Sequence, residues 1–107
     1  MEKIVLVLTT VPDSFDAWSL ARTLVNDDHA ACVSVLSPQI SAYRWEGAIE
    51  TAHERQLLIK TTESRTQALE AAITAAHPYD VPEFLVLPVT GGSEAYLAWV
   101  RGAGRSR

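Results

Sequence analysis

Residues 30–62 read AACVSVLSPQISAYRWEGAIETAHERQLLIKTT. They predict two strands joined at a tight tip, Tyr43-Arg44-Trp45-Glu46-Gly47. The first strand carries Cys32, Val33, Val35, Leu36, Ile40 and Tyr43, and the second Ile49, Leu57, Leu58, Ile59 and Thr61. Glu46-Gly47 suits a two-residue turn, because glycine supplies the positive φ such turns need. Pro38 cannot donate a ladder hydrogen bond, so it marks an edge position or a bulge. Most strands run about 5–6 residues. Each of these runs to roughly 14, about 45 Å at ~3.3 Å per residue. A domain of about 100 residues has a radius of gyration near 13 Å. The hairpin therefore overhangs its own globule, and its tip is expected to lie against another copy of the chain.

Outward from the hairpin, Ile4 to Leu8 is apolar without alternation, as in a strand covered on both faces. Val11-Pro12 breaks it, and Asp13 is the expected N-cap of a helix. Ala17, Leu20, Ala21 and Leu24 share one helical face. After the hairpin, Ser64 and Gln67 match a capping box. Leu69, Ala72, Ile73 and Ala76 follow as a second amphipathic helix, which His77-Pro78 stops. Phe84 to Val89 reads as a fourth strand. Ser93 caps a last helix with Tyr96, Leu97 and Val100 inward. The order is β-α-β-β-α-β-α: an α+β, ferredoxin-like βαββαβ sandwich with an added C-terminal helix. One domain, 1–101, is expected, followed by a flexible tail, 102–107. Strands one, three and four look hydrophobic on both faces, and soluble monomers avoid exposing such a patch. A partner subunit is expected to cover the second face.

The 107 residues carry a net charge of −4, with nine scattered basic residues. That balance argues against nucleic acid as a partner. The longest apolar run, Ile4 to Leu8, is far short of the ~20 residues of a membrane helix. Glu2-Lys3 leads straight into a strand without a leader pattern. The single Cys32 cannot form an internal disulfide, which fits a reducing, cytoplasmic setting.

Several blocks resemble the CutA divalent-cation-tolerance proteins: Leu8 to Asp13, Ala30 to Val33, Tyr43-Arg44-Trp45-Glu46-Gly47, Ile59 to Thr62, His77 to Glu83, and Tyr96 to Trp99. They run in order from about Ile4 to Arg101. The resemblance implies a homotrimer of ferredoxin-like subunits with inward-packed sheets. It also implies a cytoplasmic role in tolerance of copper and other divalent metals. The architecture is similar to that of PII-type signalling trimers, which bind small molecules between subunits. Family members discussed for copper carry a cysteine at the end of the first strand, and some have a second histidine before the helix stop. Here those positions hold Thr9 and Ala76.

Individual residues are open to two readings each. Cys32 is a soft thiolate ligand or a small buried strand residue. His77 is a copper or zinc ligand or a helix cap. Glu83 follows it across two prolines that stiffen the loop, and either shares its cleft or is solvated. These three are the metal candidates, with copper or another divalent cation as the ion. Lys60, between Ile59 and Thr61, meets an anionic ligand or forms an intersubunit ion pair. Arg44, Lys60 and Tyr79 are the ligand-cleft candidates. Tyr43, Trp45 and Ile49 are the trimer-interface candidates. Glu50 and Glu54 share one face of the hairpin, His53 takes the other, and all three are expected to be solvated. No nucleophile–base or glycine-rich phosphate motif is present, so a binding or scaffold protein is expected rather than an enzyme.

Overall fold

The computed structural model describes residues 1–102. Strand β1 (Ile4–Pro12) is followed by helix α1 (Ala17–Asn26), strands β2 (Cys32–Val35), β3 (Gln39–Trp45) and β4 (Ala48–Thr62), helix α2 (Thr66–Ala76), strand β5 (Leu85–Pro88) and helix α3 (Glu94–Arg101). Of the expected tail, Gly102 instead caps α3 by donating to Ala98 O and Trp99 O. The remainder lies outside the described residues.

The fold is mixed α and β, with one antiparallel sheet ordered β2-β4-β1-β5 and β3 continuing along β4. Strand β4 runs 15 residues and turns into β3 through Glu46 and Gly47, both at positive φ (49° and 83°). That is the mirror-image turn a right-twisted hairpin prefers. The molecule measures 45 × 27 × 24 Å.

The first strand of the hairpin is broken at Leu36-Ser37-Pro38. Val35 pairs with Leu57, and Gln39 pairs with Glu54. Three residues therefore stand opposite only Arg55 and Gln56. This one-residue excess is a bulge, placed where Pro38 has no N–H to give. It shifts the phase of β3. Gln39, Ser41, Tyr43 and Trp45 come to share a face with Glu50, Glu54 and Gln56 of β4.

The period-2 alternation of β1 and β4 divides the core. Val5, Val7, Val11, Leu57 and Ile59 pack under α1 and α2 with Leu20, Leu24, Leu69 and Ile73. On the other face, Ile4 packs with Ala31 and Val100 of α3. Alpha3 covers only that end. Leu6, Leu8 and Leu58 are half-buried, and their register neighbours Leu85 and Leu87 are exposed. Both faces are apolar, as the sequence predicts.

Two expected caps are corrected. A turn, Phe15 N–H to Pro12 O, delays α1. Asp16 is the N-cap, accepting from Ser19 N at 3.0 Å, while Asp13 pairs with Arg55 at 3.1 Å. The Ser64/Gln67 box does not form, because a 3-10 turn, Glu63–Arg65, precedes α2. The Ser64 N–H instead donates to Glu2 Oε1 at 2.8 Å. This bond, first among the causes, holds the Glu2 carboxyl below the ordinary carboxylate range.

Asp16→Ala should cost about 1 kcal/mol in urea unfolding, the usual loss for a cap. Asp13→Ala, which breaks a surface pair, should cost no more than about 0.5 kcal/mol. Leu57→Ala, in the packed core, should cost about 2–5 kcal/mol. Equal losses for the two aspartates would contradict the assigned cap.

Candidate functional site

Pro78 ends α2 by excluding the helical region at the residue before it. His77 accordingly has extended backbone (φ −78°, ψ 137°), and its N–H still donates to Ile73 O. The His77 side chain then turns into the protein. It is 9% exposed. Nε2 lies 2.6 Å from Thr10 O, and Nδ1 lies 3.1 Å from Tyr79 N. A backbone N–H can only donate, so Nδ1 accepts from Tyr79. Nε2 must then carry the proton and donate to Thr10 O, which lies beyond the end of β5 pairing. Phe15 stacks on the ring at 6.4 Å.

This bond fixes Tyr79, whose ring lies 4.9 Å from the imidazole. Tyr79 OH donates to Glu54 Oε2 at 3.0 Å. Glu54 is 7% exposed, which corrects the expectation of a solvated edge charge. Further along the loop, Glu83 Oε2 accepts from Gln56 Nε2 at 2.7 Å, and the same nitrogen donates to Thr9 O at 3.1 Å. The amide of Gln56 thus spends both protons and locks Glu83 against β4.

The result is a cleft of about 740 Å³ between the hairpin arm and the 78–83 loop. Glu50, Glu54, Asp80 and Glu83 line it, and among the described residues no Lys, Arg or His does. Its walls are Tyr43, Trp45, Tyr79, Val81 and the two prolines. Trp45 stays 57% exposed at the rim, and Ile49, on the opposite face of the arm, is 67% exposed.

The expected metal set is not brought together within the chain. Cys32 pairs with Lys60, which pairs with Leu6, four register steps from Thr10. That is about 13 Å along the sheet and two strands across. His77 spends both ring nitrogens on backbone groups, so it is a structural clamp behind the cleft wall. Only Glu83 reaches the cleft. Among the described residues, no three His, Cys, Asp or Glu side chains converge on one point. The cleft candidates also separate. Tyr79 is in place. Arg44 sits opposite Ile49 at the arm tip, and Lys60 lies eleven residues further along β4, about 36 Å away and on the other face. Lys60 Nζ stands 5.6 Å from the Tyr96 ring centroid. Glu54 and Gln56 were missed as site residues. Their signal is the alternation Glu50, Ala52, Glu54, Gln56 along one face, which becomes a cleft wall only once the bulge turns Tyr43 and Trp45 to the same side.

A family model described as "CutA1 divalent ion tolerance protein" matches residues 5–103. The chain is 46% identical over 99 residues to the divalent-cation tolerance protein CutA of Pectobacterium atrosepticum, covering 92% of this chain and 90% of that one. Among solved structures, CutA1 from Oryza sativa matches with a TM-score of 0.91 and 38% identity, over 98% of this chain and 96% of that one. A protein from Archaeoglobus fulgidus, described as periplasmic divalent cation tolerance protein CutA, matches with a TM-score of 0.86 and 29% identity, over 91% and 94%.

Burial first, then the bond to Glu54 and its charge, push the Tyr79 phenol from its ordinary 10.0 up to about 12. Between those values the unfolded chain loses the proton first. The contribution of Tyr79 to stability is therefore complete below pH 10 and is lost as pH rises through about 12. Phenolate absorbance should show Tyr79 ionising late in the wild type and earlier in Glu54→Gln. Tyr79→Phe should remove the late step. A late step surviving in Tyr79→Phe would contradict the assignment.

Proposed function

The chain belongs to the CutA1 divalent ion tolerance protein family, and on that premise we propose that it supports cation tolerance as a homotrimeric binding protein rather than as an enzyme. Cations enter the cleft between the hairpin arm and the 78–83 loop. The observation that carries this reading is the lining itself, four carboxylates with no basic side chain among the described residues. The field of such a concave site concentrates cations and repels anions.

The donor chemistry says which metals suit it. All the charged donors are oxygens, which favour hard cations over soft Cu(I). With no three of them converging, they fit an ion that keeps most of its water. Copper on His77 does not fit, because a ligating nitrogen would have to give up Thr10 O or the Tyr79 N–H.

The trimer of ferredoxin-like subunits is supported by the strand order β2-β4-β1-β5, with α1 and α2 over one face. The other face leaves Leu85 and Leu87 exposed, and the arm carries exposed Ile40, Tyr43, Trp45 and Ile49. Burying these against further copies gains roughly 25 cal/mol per Å² of apolar surface.

A second reading, a PII-like trimer that binds an anionic small molecule, rests on Lys60 alone. Its ammonium has the Tyr96 face and no carboxylate among the described residues. If Lys60 serves an anion, Lys60→Met should leave the free protein as stable or more so. If it pairs with a carboxylate of another subunit, removal should cost roughly 3–5 kcal/mol. One thermal melt decides between these signs.

Light scattering should give three times the subunit mass, and Trp45→Asp should lower that mass and the melting temperature. A monomer at micromolar concentration would overturn the assembly. Calorimetric titration with Mn²⁺ should show weak binding, lowered further in Glu54→Gln and Glu83→Gln and unchanged in Cys32→Ser. Binding that followed Cys32 would move the site to β2.

A further inference from the structure

We infer that His77 is an acid-sensitive latch on the 78–83 loop: a second proton on its ring releases the main chain at Tyr79 and, with it, one wall of the cleft. The latch needs no occupant in the cleft, so it stands or falls separately from the cation reading.

The first ground is how little holds the loop. Residues 78–83 belong to no helix or strand, and among the described residues they make no backbone-to-backbone hydrogen bond. Pro78 and Pro82 have no N–H to give. Three bonds tie the loop down: Tyr79 N–H to His77 Nδ1, Tyr79 OH to Glu54, and Gln56 Nε2 to Glu83. Only the first grips the main chain. Val81, in the middle, is 78% exposed, so packing adds little there.

The second ground is that this one grip is a nitrogen lone pair. In the neutral ring, Nε2–H donates to Thr10 O and Nδ1 accepts from Tyr79 N–H. An added proton can only go on Nδ1, where it sets an N–H against an N–H. Flipping the ring does not help. The imidazolium has two donors, and its two partners are one acceptor and one donor. The bond to Thr10 O survives and the bond to Tyr79 does not.

The third ground is the company around the ring, which places no carboxylate at Nδ1. Strand β1 offers Thr10 O and the neutral Thr9. The turn after it offers Phe15, stacked on the ring, with Asp13 paired to Arg55 and Asp16 spent on the cap of α1. The last turn of α2, Ile73 to Ala76, is neutral. Its carbonyl end attracts the added charge without putting an acceptor at Nδ1. The loop brings the Tyr79 phenol, and behind it β4 brings Glu54, which accepts from the phenol. Once the loop swings away, Nδ1 is free to bind its proton. The open state therefore holds one proton more than the closed state, and acid favours opening by up to about tenfold per pH unit.

Magnetic resonance on the full chain tests the latch by following exchange of the Tyr79 amide, corrected for its intrinsic rate, from about pH 8 to about pH 5. Wild type should lose protection at Tyr79 by about tenfold or more across that range. His77→Gln keeps one donor and one acceptor but cannot take the proton, and its protection should stay flat. A protein carrying His29→Gln and His53→Gln leaves His77 as the one histidine. It should lose protection as wild type does, and it decides the matter should His77→Gln fail to fold. An amide unprotected already at the upper pH, or protection that stays flat in wild type, would overturn the latch. So would a loss that persists in His77→Gln, which assigns it to a carboxylate, or one that disappears with His29 and His53.

Discussion

Everything at the cleft depends on one surplus residue. A strand presents alternate side chains to alternate faces, so a shift of one position exchanges the faces completely. Leu36-Ser37-Pro38 stands opposite only Arg55 and Gln56, and from there to the tip the odd-numbered residues of β3 take the side that even-numbered residues hold in β2. Without that shift, Tyr43 and Trp45 would lie on the side of Ile49, and the carboxylates of β4 would face alanine, arginine and isoleucine. Pro38 makes the shift cheap, since a residue without an N–H loses no ladder bond when the ladder is interrupted. The aromatic wall and the acidic floor are thus set by backbone geometry some distance from either.

The opposite wall has a different origin. A proline sets where α2 stops, and the imidazole before it links one backbone group 67 positions back in the sequence to another two positions ahead. Each such bond contributes only about 1 kcal/mol net. Leaving Thr10 O or the imidazole unpaired in a buried place costs about 1–3 kcal/mol each. Avoidance of that loss, more than the gain from the bonds, holds the loop against the sheet. Chained to it, Tyr79 donates a hydrogen bond to Glu54 across the cleft.

How much was legible in the sequence divides along the same line. The turn at Glu46-Gly47 was readable because φ > 0 is a property of a residue or two. The faces of α1 and α2 were readable because helical periodicity is local, and so was the stop at His77-Pro78. Asp13 was mistaken for the cap because it and Asp16 are chemically alike, and only the turn at Pro12 decides between them. Ser64 lost its box to a carboxylate 62 residues away, which no local pattern contains. Glu54 looked solvated because its neighbours Glu50, His53 and Arg55 are polar. The element that buries it, the 78–83 loop, is remote. Cys32 and His77 were candidates by residue type, and the register alone shows how far apart they are.

The placement of β5 bears on how the chain comes to be folded at all. Val5 finds its partner in Pro88, and Leu8 finds its partner in Leu85, so the central strand waits for nearly the whole polypeptide before its second edge is closed. Contacts of such long sequence separation slow folding, because the loop must close before the ladder rewards it. During synthesis, at about 5–20 residues per second, β1 emerges first and spends seconds with its apolar run uncovered. Helix α1 can shield one side early, and β4 can dock once the hairpin is made. The side lined by Leu6 and Leu8 stays open until the last quarter of the chain arrives. A nascent chain in that state has the surface most prone to pair with a neighbour on the same message, so the order of synthesis leaves the face the finished subunit still exposes as the last to be completed.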